Sequence, residues 1–140
     1  MQLGKLLGVD YGDRRTGLAI SDISGFLASG IGYIRESGMK NTAIRVAKEA
    51  KERGATGIVV GLPKNMDGTE GPRAEKARQF AELLREASGL EVTFWDERRT
   101  TIEAHSILHA TGKKEKKHKG KVDAVAASLM LEGYLGSLRR

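Results

Sequence analysis

Three short apolar segments separated by glycine-bearing turns, followed by two alternations of helical and extended pattern, leave this chain few ways to fold. Gly4 to Val9, Thr16 to Asp22 and Ala28 to Ile34 have the length of strands, and the turns between them suit antiparallel hairpins. From Asn41 to Arg53 the residues Ala43, Ile44, Ala47 and Ala50 recur at helical spacing, with Asn41 as the candidate cap and Gly54 as the stop. Ile58-Val59-Val60 reads as a strand buried on both faces. A polar loop from Pro63 to Pro72 leads into a helix ending near Ser88, with proline in its first turn, an apolar stripe of Ala77, Phe80, Ala81 and Leu84, and Gly89 beyond its end. Val92 to Trp95 is a fifth strand, and Thr100 with Glu103 forms a capping box for a helix to Ala110. Val122, Val125, Ala126, Leu129 and Tyr134 mark a last helix with Asp123 in its first turn. This order predicts an α/β fold in one domain, 1–140: a three-stranded antiparallel meander plus two parallel strands in a mixed five-stranded sheet, with helices on both faces.

A chain of 140 residues can bury a real core, and without cysteine it has no disulfide framework and no thiolate metal site. His105 and His109 lie four apart, but no glutamate between them completes a zinc-protease pattern, so surface or packing roles are expected for them. No apolar run approaches the ~20 residues of a membrane span, and the amino terminus shows no signal-peptide pattern. A cytoplasmic protein without membrane contact is the expectation. Lysine plus arginine outnumber aspartate plus glutamate by 24 to 18. Six lysines fall between Lys113 and Lys121, a segment read as a mobile loop, and this concentration of positive charge favours a nucleic-acid partner.

Three carboxylates stand at the ends of apolar segments: Asp10, Glu97 and Asp123. Acidic groups brought together at strand ends repel and lose hydration, and a divalent cation is the natural compensation. Asp10 opens a hairpin in which Gly12 permits close backbone approach, with Arg14 beside it. Lys64 and Asn65, beyond a bare Gly61 and a rigid Pro63 that leave a path for substrate, are placed to touch phosphate or base, as are Lys119 and Lys121 just before Asp123. With the fifth strand about 10 Å, two strand spacings, from the first, the longer Glu97 is a better ligand than Asp96, which is left to pair with Arg98 or to cap the following helix. Arg98 is assigned to the scissile phosphate or to orienting Glu97. Plainer readings stand beside these: a turn aspartate bonded to local backbone, a helix-capping Asp123, an ordinary crossover loop, a surface ion pair and a solvated lysine run.

Taken together, Gly8-Val9-Asp10-Tyr11-Gly12, Val59-Val60-Gly61-Leu62-Pro63, Asn65-Met66-Asp67-Gly68-Thr69-Glu70, Asp96-Glu97-Arg98 with Thr100-Thr101, and Lys119-Gly120-Lys121-Val122-Asp123-Ala124 resemble the YqgF family of pre-16S rRNA nucleases. These are relatives of the RuvC-type Holliday-junction resolvases in the ribonuclease H-like superfamily. The resemblance covers nearly the whole chain. It implies a ribonuclease H-like fold, two Mg²⁺ or Mn²⁺ ions, catalytic and metal-binding roles for Asp10, Glu97 and Asp123, and trimming of the 5′ end of 16S ribosomal RNA precursor. Arg99 departs from the apolar residue expected after Asp-Glu-Arg, and Gly61 stands where ribonuclease H and the resolvases carry an acid.

The expectation is a metal-dependent phosphodiester hydrolase acting on RNA, as a monomer or a homodimer. The alternatives are cleavage of four-way DNA, which demands two sites in a symmetric dimer, and a non-catalytic RNA-binding assembly factor. An ATP-dependent phosphotransferase of the actin and sugar-kinase type needs a second lobe that 140 residues do not hold. Neutralising Lys113, Lys114, Lys116 and Lys117 together should weaken RNA binding and flatten the slope of log affinity against log salt by up to ~0.7 per lost single-strand phosphate contact. A fourfold variant with an unchanged slope would reduce the run to a solvated loop.

Overall fold

The computed structural model describes residues 4–25, 27–99 and 119–138, with backbone alone for 119–122. The meander runs β1 (Lys5–Asp10), β2 (Thr16–Ser21) and β3 (Ala28–Ile34). After it come α1 (Met39–Glu52), β4 (Ala55–Leu62), α2 (Pro72–Ser88), β5 (Glu91–Asp96), a short 3-10 turn (Glu97–Arg99) and α3 (Lys119–Leu138). The five strands lie in the order β3-β2-β1-β4-β5, the first three antiparallel and the β1–β4 and β4–β5 pairs parallel. This is the mixed sheet the segment order predicts. The expected helix from Thr100 to Ala110, the histidines His105, His109 and His118, and lysines 113–117 lie outside the described residues.

Strand alternation divides the core into two layers. Leu7, Val9, Leu18, Ile58, Val60 and Val92 point to one face and pack on Val46, Ala50, Phe80 and Leu84 of α1 and α2. Ala19, Val59 and Trp95 point to the other face, against Ala127, Met130, Leu131 and Leu135 of α3. Phe80, Leu84, Leu131 and Leu135 are essentially inaccessible, and burial of each contributes about 1.5–3 kcal/mol. Among the described residues no helix is long and apolar enough to cross a membrane.

Helix boundaries differ from the sequence reading at two points, each for a local reason. Helix α1 starts at Met39 with Gly38 as its N-cap, so Asn41 falls within the first turn; its amide donates back to the Ser37 carbonyl at 2.7 Å instead of capping. Helix α3 begins at Lys119, earlier than expected, which removes the end of the lysine run from the loop and sets Asp123 in the second turn. Gly120 costs about 1 kcal/mol inside a helix relative to alanine, and the apolar pattern starts only at Val122, yet the helix extends one turn before it.

Helix α3 lies on the backbone of the sheet. A Cβ at Gly8 would stand 3.0 Å from the Leu131 Cβ, and one at Gly30 would stand 3.0 Å from the Ala124 Cβ. One at Gly17 would collide with the backbone of Asp123. Glycines in β1, β2 and β3 thus let the helix sink below the usual side-chain layer. Gly17→Ala should cost ~1–3 kcal/mol by overpacking, because the obstacle is rigid helix backbone. Gly57→Ala should cost less, since its methyl would meet only the tip of Leu6, with Cδ2 at 3.0 Å. Urea midpoints compare the two; equal midpoints would show that α3 does not rest on the strand backbone.

Candidate active site

Register brings the candidate acids together. Asp10 is the last residue of β1 and pairs with Gly17 on β2. On the other side Val9 pairs with Val60, so Asp10 falls beside Gly61, and Gly61 pairs with Trp95 on β5. Pleat parity turns Asp10, Gly61 and Trp95 to the α3 face, and Glu97, two residues past Trp95, follows them. The side chain of Glu97 folds back across the end of β4 until its carboxyl occupies the space where a Gly61 side chain would begin. Met130 closes that space from α3, its sulfur 2.8 Å from the same point. The open substrate path expected above Gly61 is therefore filled by Glu97, because the missing side chain makes room for a carboxyl from two strands away.

Glu97 there donates a hydrogen bond to Asp10, and the electrostatics follow from the contact. Burial, then the neighbouring Asp10 charge and the hydrogen bond to it, raise the Glu97 carboxyl to about 8. Burial is also the main reason Asp10 is raised above the ordinary aspartate range; the hydrogen bond from Glu97 pulls it down and the Asp123 charge adds to the rise. Arg73 lowers both. Without metal the pair holds one proton between two carboxyls. Asp123 is near enough to act on Asp10 through its charge, but its carboxylate accepts from Arg15 Nε at 2.8 Å, and the Arg15 guanidinium also lies over Tyr33, 5.9 Å from the ring centre. Among the described residues no three acidic or histidine side chains form a ready-made metal cluster.

The other predicted contacts are distributed differently. Asp96 accepts from Arg98 at 2.7 and 3.1 Å, which holds its carboxyl below the usual range. Arg98 also donates to the Met66 carbonyl at 3.3 Å, so it ties β5 to the loop after β4 and does not orient Glu97. Asn65 is occupied within that loop, its amide donating to Thr69 Oγ1 at 2.9 Å and its backbone N–H to the Thr69 carbonyl at 2.8 Å. Lys64 is half-buried and acts by its charge on Glu70 and Asp96. Gly12 belongs to the tight turn, where a Cβ would strike the Arg15 carbonyl, and Arg14 is exposed. The side chains of Lys119 and Lys121 lie outside the described residues.

The sequence reading passed over Arg73 and Lys76, which line a cleft of about 230 Å³ with Tyr11, Gly12, Asp13 and Pro63. Arg73, in the first turn of α2, opposes the helix macrodipole, which is a weak cue beside Glu75 in the same turn; Lys76 lies past that turn and carries none.

A family model described as RuvX, Holliday junction resolvase, matches residues 4–137. A protein of Ruminiclostridium cellulolyticum named "Putative pre-16S rRNA nuclease" is 41% identical over 94% of this chain and 93% of its own length. One from Halothermothrix orenii with the same name is 43% identical over 94% of each. The chain belongs to the RuvX family. Solved structures similar to this RuvX-family chain include Thermus thermophilus RuvC in complex with a Holliday junction substrate, at TM-score 0.62 and 14% identity over 96% of both chains. Fowlpox virus resolvase with Holliday junction DNA follows at TM-score 0.56 and 17% identity over 97% of this chain and 99% of that one. At these identities the likeness establishes the RuvC-like ribonuclease H fold.

The carboxyl pair should register in stability. In chelator-containing buffer the folded chain keeps the Glu97 proton up to about pH 8, while the unfolded chain loses it near 4.5. Between these values the folded form binds more protons, so this pair's contribution to stability falls as pH rises. Glu97→Gln should flatten that decline in urea-unfolding midpoints. An equal decline in the variant would show that Glu97 does not titrate with the fold.

Proposed function

We propose that this chain is a divalent-metal-dependent nuclease that hydrolyses phosphodiester bonds, acting on the 5′ end of 16S ribosomal RNA precursor. The observation that carries the reading is the Glu97 carboxyl seated over Gly61 and bonded to Asp10. Two desolvated carboxyls holding one proton cost stability in any purely structural role. They suit a hard cation, which binds carboxylate oxygens and displaces that proton. Asp10 and Glu97 would hold Mg²⁺ or Mn²⁺, with Asp123 joining them once its bond to Arg15 opens. Two such ions, when bound, supply Lewis acidity at the phosphate and a hydroxide nucleophile.

The chain's own residues do the rest. Gly17 and Gly61 hold the acids on one face, and Met130 and Trp95 exclude water from beneath them. Arg98 fixes the loop that borders the opening. The choice of ribosomal RNA precursor rests on the names of the relatives, and four-way DNA, the substrate in the family's description, is the second reading.

The test is to incubate wild-type protein and Asp10→Asn with a 16S precursor 5′ leader and with a four-way DNA junction, in Mg²⁺ and in Mn²⁺. The wild type should cut the leader and the variant should not. In metal-free buffer Asp10→Asn should melt no lower than wild type, because it removes one of the repelling acids. Cutting of the junction alone would reassign the substrate. Cutting of neither would favour a non-catalytic assembly factor.

A further inference from the structure

Several cations around the site are already committed: Arg15 to Asp123, Arg98 to Asp96, Arg78 to Glu70 and Lys76 to Asp13. Arg73 has no hydrogen bond or ion pair among the described residues, although its charge reaches both Asp10 and Glu97. Its side chain lies on the rim of the 230 Å³ cleft, where Lys76 stands across from the turn of Tyr11, Gly12 and Asp13. The Tyr11 ring stacks on Phe80 of α2, centroids 4.5 Å apart, so the turn and the helix that form the two walls are packed as one body. Alternation along β1 puts Tyr11 and this cleft on the α2 face and the Asp10 carboxyl on the α3 face. The cleft and the carboxyl pair therefore lie at the same sheet edge, on opposite sides of the strand ends.

We propose that Arg73 and Lys76 form a phosphate subsite that receives the backbone phosphate next to the one that is cleaved, an inference that rests on the nuclease reading above. The chemistry of the walls favours an oxyanion of this size. Arg73 offers a planar fork of donors suited to phosphate oxygens, and no hydrogen bond or ion pair among the described residues occupies it. Lys76 is bonded to Asp13 at 3.0 and 3.1 Å, but both side chains are at least half exposed, and an exposed pair of this kind exchanges readily for a phosphate. A cleft smaller than the ~300–1,000 Å³ of small-molecule pockets has room for a phosphate but little for a base, so the subsite reads backbone and not sequence. Its function is positional. The charge of Arg73 reaches both acids, which would repel a phosphate backbone, and by anchoring one phosphate it brings the next to the Asp10–Glu97 pair. Arg73 is thus a positioning residue that acts on the substrate, and its loss should appear in KM before kcat.

The test uses the full chain as wild type, Arg73→Gln, Arg73→Lys and Lys76→Gln. The wild type first locates the cut in a single-stranded RNA leader with Mn²⁺. A series of the same RNA, each with one uncharged methylphosphonate linkage, is then titrated by fluorescence anisotropy in chelator at fixed salt. In the wild type, neutralising the linkage beside the cut should weaken binding roughly tenfold, the size of one lost charge-assisted hydrogen bond. In Arg73→Gln that penalty should vanish, because the partner is already gone, while Arg73→Lys should keep part of it and Lys76→Gln should reduce it. An Arg73→Gln profile identical to wild type would overturn the subsite and leave the nuclease reading standing. An unchanged affinity with lowered kcat and a shifted pH profile would also overturn it, assigning Arg73 to tuning the carboxyl pair. A wild type that neither binds nor cuts RNA or DNA would overturn both readings.

Discussion

The candidate site depends on a steric constraint at two backbone positions, Gly17 and Gly61, which flank Asp10 in the sheet. On one side the absent side chain of Gly17 lets the α3 backbone at Asp123 rest on the strand. On the other, the absent side chain of Gly61 lets the Glu97 carboxyl fold in from β5. A methyl at either position would push one acid away from Asp10. The same approach is repeated at Gly8 and Gly30, so the seating of α3 and the assembly of the acids are one packing event.

That packing has an electrostatic cost. Bringing Glu97 against Asp10 strips water from both and leaves the pair sharing a proton, while Asp123 is neutralised by Arg15 and Asp96 by Arg98. The hydrophobic layer of Trp95, Met130, Leu131 and Leu135 beneath the site supplies the compensating stability. Asp123 and Asp96 each have an arginine of their own, whereas the central pair has only the remote influence of Arg73.

The loop after β4 shows why some sequence assignments moved. Lys64 and Asn65 look free in a polar, glycine-rich segment, yet the loop is internally bonded through Asn65, Asp67 and Thr69, and Glu70 is held by Arg78 at 2.6 and 2.8 Å. Such short-range bonds depend on turn geometry, which composition does not specify. Arg73 and Lys76 were overlooked for the opposite reason: on a helix they read as ordinary surface charge until tertiary structure sets Tyr11 and Gly12 across from them.

The element order, the mixed five-stranded sheet and the preference for Glu97 over Asp96 as the acid that reaches toward β1 are legible in the chain before it folds. Those follow from periodicity, strand count and side-chain length, which are local quantities. Folding is needed to see that Gly61 makes room for Glu97 instead of opening a path for substrate, that Asp123 is held by Arg15, and that α3 begins a turn earlier than its apolar pattern. Each of these depends on which backbone lies against which, and a missing side chain has meaning only once its neighbour across the sheet is known.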